Sequence, residues 1–318
     1  MSAALFAILG LVLGIVLISI SSDRAIKHSS LLAKALGVSP LIIGLTIVSI
    51  GTDLSEIFNS IISCALGHGD IDVGDSVGSD LTQLTLIFGL LPIICGSFNV
   101  KRKEIIIMGI CEILSLIVIY SIVEKGYITR INAIFMVGSL VLYLIIMYNV
   151  TKETVLEKGK IIEVTEVEKS KMYHVLIASI GFGGVTISAY LIVNSVILIS
   201  SYFQVHEYII SFFIVAVGTS LPELAVDINA LRRRENQIAI GDIIGSCIVD
   251  STLSIGIGQI LFPQAVSAYL AIPTITYTLI ASFIVFTVVA KRQKVDWKAG
   301  ILFISLYLFS YIMLFFLR

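Results

Sequence analysis

Charge is scarce in this sequence: 14% of its 318 residues are Asp, Glu, Lys or Arg, while 57% are hydrophobic. Soluble domains carry about a quarter charged residues, so the shortage excludes an ordinary water-soluble chain and leaves a polytopic membrane protein. Histidine and cysteine are also rare, at four each. His28, His68, His174 and His206 fall at the ends of apolar runs or between them and form no ligand cluster, whereas Cys64, Cys95, Cys111 and Cys247 lie within such runs, where a thiol packs as a small hydrophobe. A transition-metal or haem centre is therefore not expected, and neither is any other cofactor. A net charge of −1 gives no nucleic-acid signal. No protein partner is evident, and the expected surroundings are membrane lipid.

What the chain does have is apolar length. Runs able to span a bilayer, at about 20 residues each, fall at 3–21, 40–66, 71–96, 104–122, 127–149, 173–200, 208–231, 237–262, 268–290 and 298–317. The expected fold is thus all-α, with ten transmembrane helices. The first run is followed, not preceded, by Arg24 and Lys27, so it reads as a retained helix with its N-terminus outside and not as a cleaved leader. Eighteen of the 21 Lys and Arg residues fall in the connections after the odd-numbered runs. The positive-inside rule then makes those connections cytoplasmic and both termini extracytoplasmic, in a cell membrane.

Residues 51–83, GTDLSEIFNSIISCALGHGDIDVGDSVGSDLTQ, align without gaps to 218–250, GTSLPELAVDINALRRRENQIAIGDIIGSCIVD, with 10 of 33 positions identical. The identities fall on Gly, Thr, Glu, Asp and Ser as well as on Leu and Ile, which shared hydrophobicity does not explain. The offset of 167 residues crosses five runs, an odd number, so the second copy enters the membrane from the opposite side. Two inverted five-helix repeats are expected, 1–150 and 173–318, joined by a polar cytoplasmic connection over 151–172. In folds of this type the transport site lies near the midplane, between the copies.

Each copy opens on a Gly-Thr pair that interrupts a span, followed by acids: Asp53 and Glu56 in one, Glu223 and Asp227 in the other, with Pro222 in the second copy only. An ionised acid at mid-membrane costs roughly 2.5–3.5 kcal/mol, so acids there signal function. Opened helices at Thr52 and Thr219 would free backbone carbonyls as oxygen ligands. Asp75, Ser79 and Gln83 recur every four residues, as do Asp242, Ser246 and Asp250, and so place two oxygen-bearing stripes opposite the breaks. No Lys or Arg lies at mid-depth in these spans. Carboxylates and hydroxyls without imidazole or thiolate suit hard cations, calcium or sodium, with protons as competitors. Asn194 and Glu112, the latter without a counterpart in the repeat, read as hydrogen-bonding partners of neighbouring helices.

With these residues the sequence resembles the cation/calcium exchanger superfamily, and within it sodium/calcium exchangers of prokaryotic type. GTSLPE at 218–223 matches that family's first motif fully, and GDIIGSCIVD at 241–250 matches the second nearly so. The resemblance implies ten helices, alternating access, and calcium movement driven by sodium, with no enzymatic activity. Carried over, Glu56 and Glu223 are central calcium ligands and Thr52 and Thr219 carbonyl donors. Ser220, Ser79 and Ser246 are sodium-site or supporting hydroxyls, Asp250 fills the acidic position, and Gln83 stands where Asn or Asp is usual. Asp53, Ser55, Asp75, Asp242 and Asp80 depart from the pattern; the extra acids leave proton-driven exchange as an alternative, and the absent proline predicts a softer first break. Two readings from other classes are open: a passive channel, and an intramembrane aspartyl protease on the GHGD stretch at 67–70, which lacks the companion motifs.

Overall fold

The structure, a computed structural model, describes residues 2–35, 49–158, 171–232, 234 and 236–315. Ten helices follow one another: α1 (Ser2–Ala35), α2 (Ser49–Thr52 and Leu54–Ala65), α3 (Gly69–Ile94), α4 (Arg102–Val123), α5 (Arg130–Lys158), α6 (Lys171–Phe203), α7 (Glu207–Arg232), α8 (Asn236–Leu261), α9 (Ala268–Arg292) and α10 (Trp297–Phe315). Seven are long and apolar enough to cross a membrane by themselves, and the shorter apolar segments Leu54–Ala65, Arg130–Ile146 and Trp297–Ile312 belong to the other three. The expected start of the second span, at 40–48, lies outside the described residues, as does 159–170 of the polar connection. Residues 151–158 continue α5, in keeping with the high helix propensity of Lys and Glu.

Helices α1 and α6 are the longest, 34 and 33 residues, and they pack along one another on the outside of the bundle. Small residues let them approach. A Cβ added at Gly14 would lie 2.7 Å from Ile192 Cγ1, and one at Gly181 only 2.8 Å from the Ala25 backbone nitrogen. Between membrane helices, where lipid offers no hydrophobic advantage to association, such close backbone contact supplies the van der Waals attraction. Their outer faces carry Leu5, Phe6, Leu9, Ile180 and Ile187, all exposed, as a lipid-facing surface requires.

The repeat is visible far from its motifs. On one face Phe98 and Asn99 pair antiparallel with Val295 and Lys294; on the other, Tyr127 bridges Ala265. Adding 167 to 98–99 gives 265–266, and adding it to 127–128 gives 294–295. The two bridges therefore join equivalent segments, one residue apart in register, an addition to the all-helical expectation that the apolar pattern does not signal. Each pins the α3–α4 or α4–α5 connection of one half to the other half.

Beside the first bridge, Asp296 opens α10, accepting from the Ala299 N–H at 3.0 Å and pairing with Arg292 at 2.5 Å. The Ala299 N–H, followed by Arg292, holds its carboxyl below the ordinary 3.8. A depressed folded-state pKa stabilises above the unfolded value and ceases to do so as pH falls through the folded one. Asp296→Asn is accordingly expected to lower the melting temperature slightly at pH 7, with the difference from wild type closing below pH 3.8; a pH series of thermal melts checks this.

Candidate functional site

Among the described residues, helices α2 and α7 each break once, and at the same place. Asp53 (φ −84°, ψ 16°) separates the two parts of α2, and Ser220 (φ −83°, ψ 5°) interrupts α7; the two residues are 167 apart. Both sit in the sparsely populated bridge region that functional sites favour. The softer first break expected from the missing proline is not found. The bend is made at the residue before the new helical segment, and position 55 or 222 lies within that segment's first turn, where an absent N–H changes little. In α2 that position is Ser55, whose hydroxyl bonds Glu56 Oε2 at 2.7 Å and lies 3.5 Å from the Thr219 carbonyl of the other break.

A second distortion faces the first. In α3 the helix widens to π geometry over Thr82–Ile87, and in α8 over Asp250–Ser254, again at matching positions. A further π turn, Ser211–Val215, precedes the break in α7. Single π turns within helices gather at functional sites because they turn side chains and loosen backbone pairing. The four-residue spacing of the stripes gives no sign of them.

Breaks and stripes meet around a pseudo-twofold axis. Gln83 Nε2 donates to Asp250 Oδ2 at 3.3 Å, and the Cys247 thiol reaches the Asp80 carbonyl at 3.8 Å; each pair is separated by 167 residues, so like positions touch. Glu223 lies within electrostatic reach of Glu56 and Asp53, and Asp250 within reach of Asp53, Glu56 and Glu223. Thr52 Oγ1 faces Ser246 Oγ at 3.5 Å. The expected residues Thr52, Asp53, Glu56, Ser79, Gln83, Thr219, Ser220, Glu223, Ser246 and Asp250 all lie on these four helices and are buried, none more than 5% exposed.

Much of this oxygen lacks a donor. Both oxygens of Asp53 and of Glu223, Oε1 of Glu56 and the hydroxyls of Ser79 and Ser220 are buried without a hydrogen-bond partner. Leaving one buried polar atom unpaired costs about 1–3 kcal/mol, more when it is charged, so a cluster of them calls for a positively charged occupant. Among the described residues no three His, Cys, Asp or Glu side chains converge as a ready-made metal cage. The oxygens are instead shared among carboxylates, hydroxyls and break-site backbone, a donor set that fits hard cations carried as cargo.

The acids that depart from the family pattern divide into two kinds. Asp75 is satisfied by Asn59 Nδ2 at 2.5 Å and Thr219 Oγ1 at 3.3 Å, and Asp80 accepts from Ser251 Oγ at 2.5 Å, although Asp80 Oδ1 stays unpaired. Asp53 and Asp242 keep donorless oxygens. Glu112 accepts from Ser282 Oγ at 2.9 Å, the helix-to-helix role expected of it, and Asn194 bonds back to the Tyr190 carbonyl at 2.7 Å within its own helix. No imidazole enters the site. His68 pairs with Glu207 at 2.8 Å, and His206 lies 3.6 Å from Asp70, both at the opposite end of α7 from Arg232. Asp70 itself is held by the Ser267 N–H and hydroxyl at 2.6 and 2.7 Å, so the GHGD stretch forms a turn and a tethered helix start, not one half of an aspartyl pair. The four cysteines are free thiols, with Cys64 and Cys247 directed at Asp72 and Gln83.

Comparison with known proteins agrees with this geometry. The sequence pattern of the family described as "Sodium/calcium exchanger protein" matches residues 6–149 and 173–316, one match for each half. Inner membrane protein YrbG of Escherichia coli strain K12 is 27% identical over 261 residues, 80% of this chain and 79% of its own. Among solved structures, the sodium-calcium exchanger NCX_Mj, soaked with Na+ and Sr2+, superposes with a TM-score of 0.61 at 26% identity, covering 97% of this chain and 98% of that one. An H+/Ca2+ exchanger, CAX, shares the fold with a TM-score of 0.74 at 16% identity over 96% of this chain and 82% of its own. The chain belongs to the sodium/calcium exchanger family: it is a multi-pass membrane cation/calcium exchanger, and not an enzyme.

Proposed function

We propose that the protein is a secondary antiporter that exchanges Ca2+ for Na+ by alternating access, with Glu56 and Glu223 as the central calcium ligands. The observation that carries this reading is the pair of symmetry-related glutamates beside two matching helix breaks, with three of their four carboxylate oxygens buried and donorless. The Thr52 and Thr219 carbonyls complete the calcium site. Ser79, Ser220, Ser246, Gln83, Asp53 and Asp250 surround it and accept sodium when calcium has left. Without a cation the pocket holds several like charges in a low-dielectric interior, and closing over them is too costly; loaded states can close, so exchange is favoured over leak and over the passive-channel reading. The positive-inside rule places the α7–α8 and α9–α10 turns, rich in Arg and Lys, in the cytoplasm of a cell membrane, with 1–150 and 173–318 as the two counter-oriented halves.

Proton-driven exchange is the second reading, favoured by Asp53: a carboxylate with two donorless oxygens stands where a serine is usual. Purified protein in liposomes, with membrane potential clamped, separates the two. An outward sodium gradient is expected to drive calcium uptake at neutral pH on both sides. Uptake driven only by an outward proton gradient would overturn the sodium assignment.

A further inference from the structure

The two repeats treat one acidic position differently. Asp75 in α3 accepts hydrogen bonds from Asn59 and Thr219. At the matching position, Asp242 in α8, the counterpart of Asn59 is Val226, and the side chain that reaches the carboxylate is Asp227. The two carboxyl groups lie within electrostatic reach of each other. Even so, both oxygens of Asp227 and Oδ2 of Asp242 are buried without a donor, and Asp227 is 0% exposed. Among the described residues, no Lys, Arg or His side chain forms an ion pair with either. Two carboxylates placed face to face in this way repel unless something positive lies between them.

Their position suggests what that is. Asp227 follows Glu223 by four residues, about 6 Å along the helix towards Arg232. Asp242 lies eight residues before Asp250, towards the same end of the bundle. Asp242 is half-buried, so the pair is not sealed from that end. The first repeat has no such pair: Ser60 occupies the position matching Asp227.

We infer that Asp227 and Asp242 form a second divalent-cation site, one helical turn from the central glutamates, which holds calcium on its passage between the central site and the α7–α8 end. The inference rests on the calcium-exchange reading, and one experiment tells the two apart. Calcium is titrated calorimetrically into the purified full-length protein, into E56Q/E223Q, and into that double variant with Asp227→Asn or Asp242→Asn added. The double variant is expected to keep one weaker calcium equivalent, which either added substitution removes and Asp227→Glu retains. If the double variant is monodisperse and binds no calcium while wild type does, the pair shares a proton, the inference falls and the central reading stands. Residual binding that survives both Asp227→Asn and Asp242→Asn also overturns it. If wild type and E56Q/E223Q bind calcium equally, it is the central assignment that fails. Should E56Q/E223Q not fold, Asp227→Asn in the otherwise native chain is expected to halve the calcium bound, and unchanged binding would overturn the inference.

Discussion

Replacing Glu56 or Glu223 with glutamine is expected to abolish calcium exchange, and the two substitutions are expected to be equally severe. Each glutamate has at least one buried, donorless carboxylate oxygen and lies within electrostatic reach of the other. Truncating one partner of a buried, desolvated charge interaction costs about 2–5 kcal/mol. At 1.4 kcal/mol per decade, a loss of 3 kcal/mol is roughly 100-fold in affinity. Glutamine keeps the shape and one oxygen but places an amide nitrogen, a donor, against a cation. The measurement is calcium uptake into proteoliposomes at matched protein density, with melting temperatures to show that both variants are folded. If either variant transports within a few-fold of wild type, that glutamate is not a central ligand.

The second large effect is one of packing. A Cβ at Gly78 would lie 2.3 Å from the Phe212 carbonyl and 2.8 Å from Ala216 Cβ, so α3 can cross α7 only because that side chain is missing. Gly78→Ala forces two backbones apart. Overpacking of this kind costs about 1–3 kcal/mol, and here the displaced segment leads into the break at Ser220. Exchange is expected to fall more than tenfold and the melting temperature to drop by several degrees. A Gly78→Ala variant that exchanges and melts like wild type would show that the crossing does not depend on the missing side chain.

Fold and site were legible in the sequence to different depths. Ten apolar runs, an odd number of them between two copies of GT-x-L-x-E, already imply the inverted halves, since parity is a property of counting and survives errors in helix boundaries. The central residues were legible for a related reason: an acid in a span must be explained, and Glu56 and Glu223 recur at one offset. What the sequence concealed is what depends on how elements meet. The π turns at 82–87 and 250–254 are invisible because the four-residue rhythm of Asp75, Ser79 and Gln83 is that of an ordinary helix until backbone pairing is examined. Asp75 and Asp242 look alike as letters, but one finds Asn59 and the other finds Asp227. The bridge between 98–99 and 294–295 joins segments almost two hundred residues apart through backbone atoms alone, which leave no mark on side-chain choice.

The contacts on the pseudo-twofold axis bear on how such a molecule changes state. If the two halves trade conformations to expose opposite sides, every off-axis contact is exchanged for its partner in the other half. A contact between the side chains of like positions, Gln83 with Asp250, is carried onto itself. It weighs equally on both end states and cannot bias the balance between them. Such contacts belong to the pivot: changes there alter how fast the protein turns over, while the preference for one side or the other is set by the pairs that symmetry leaves unequal.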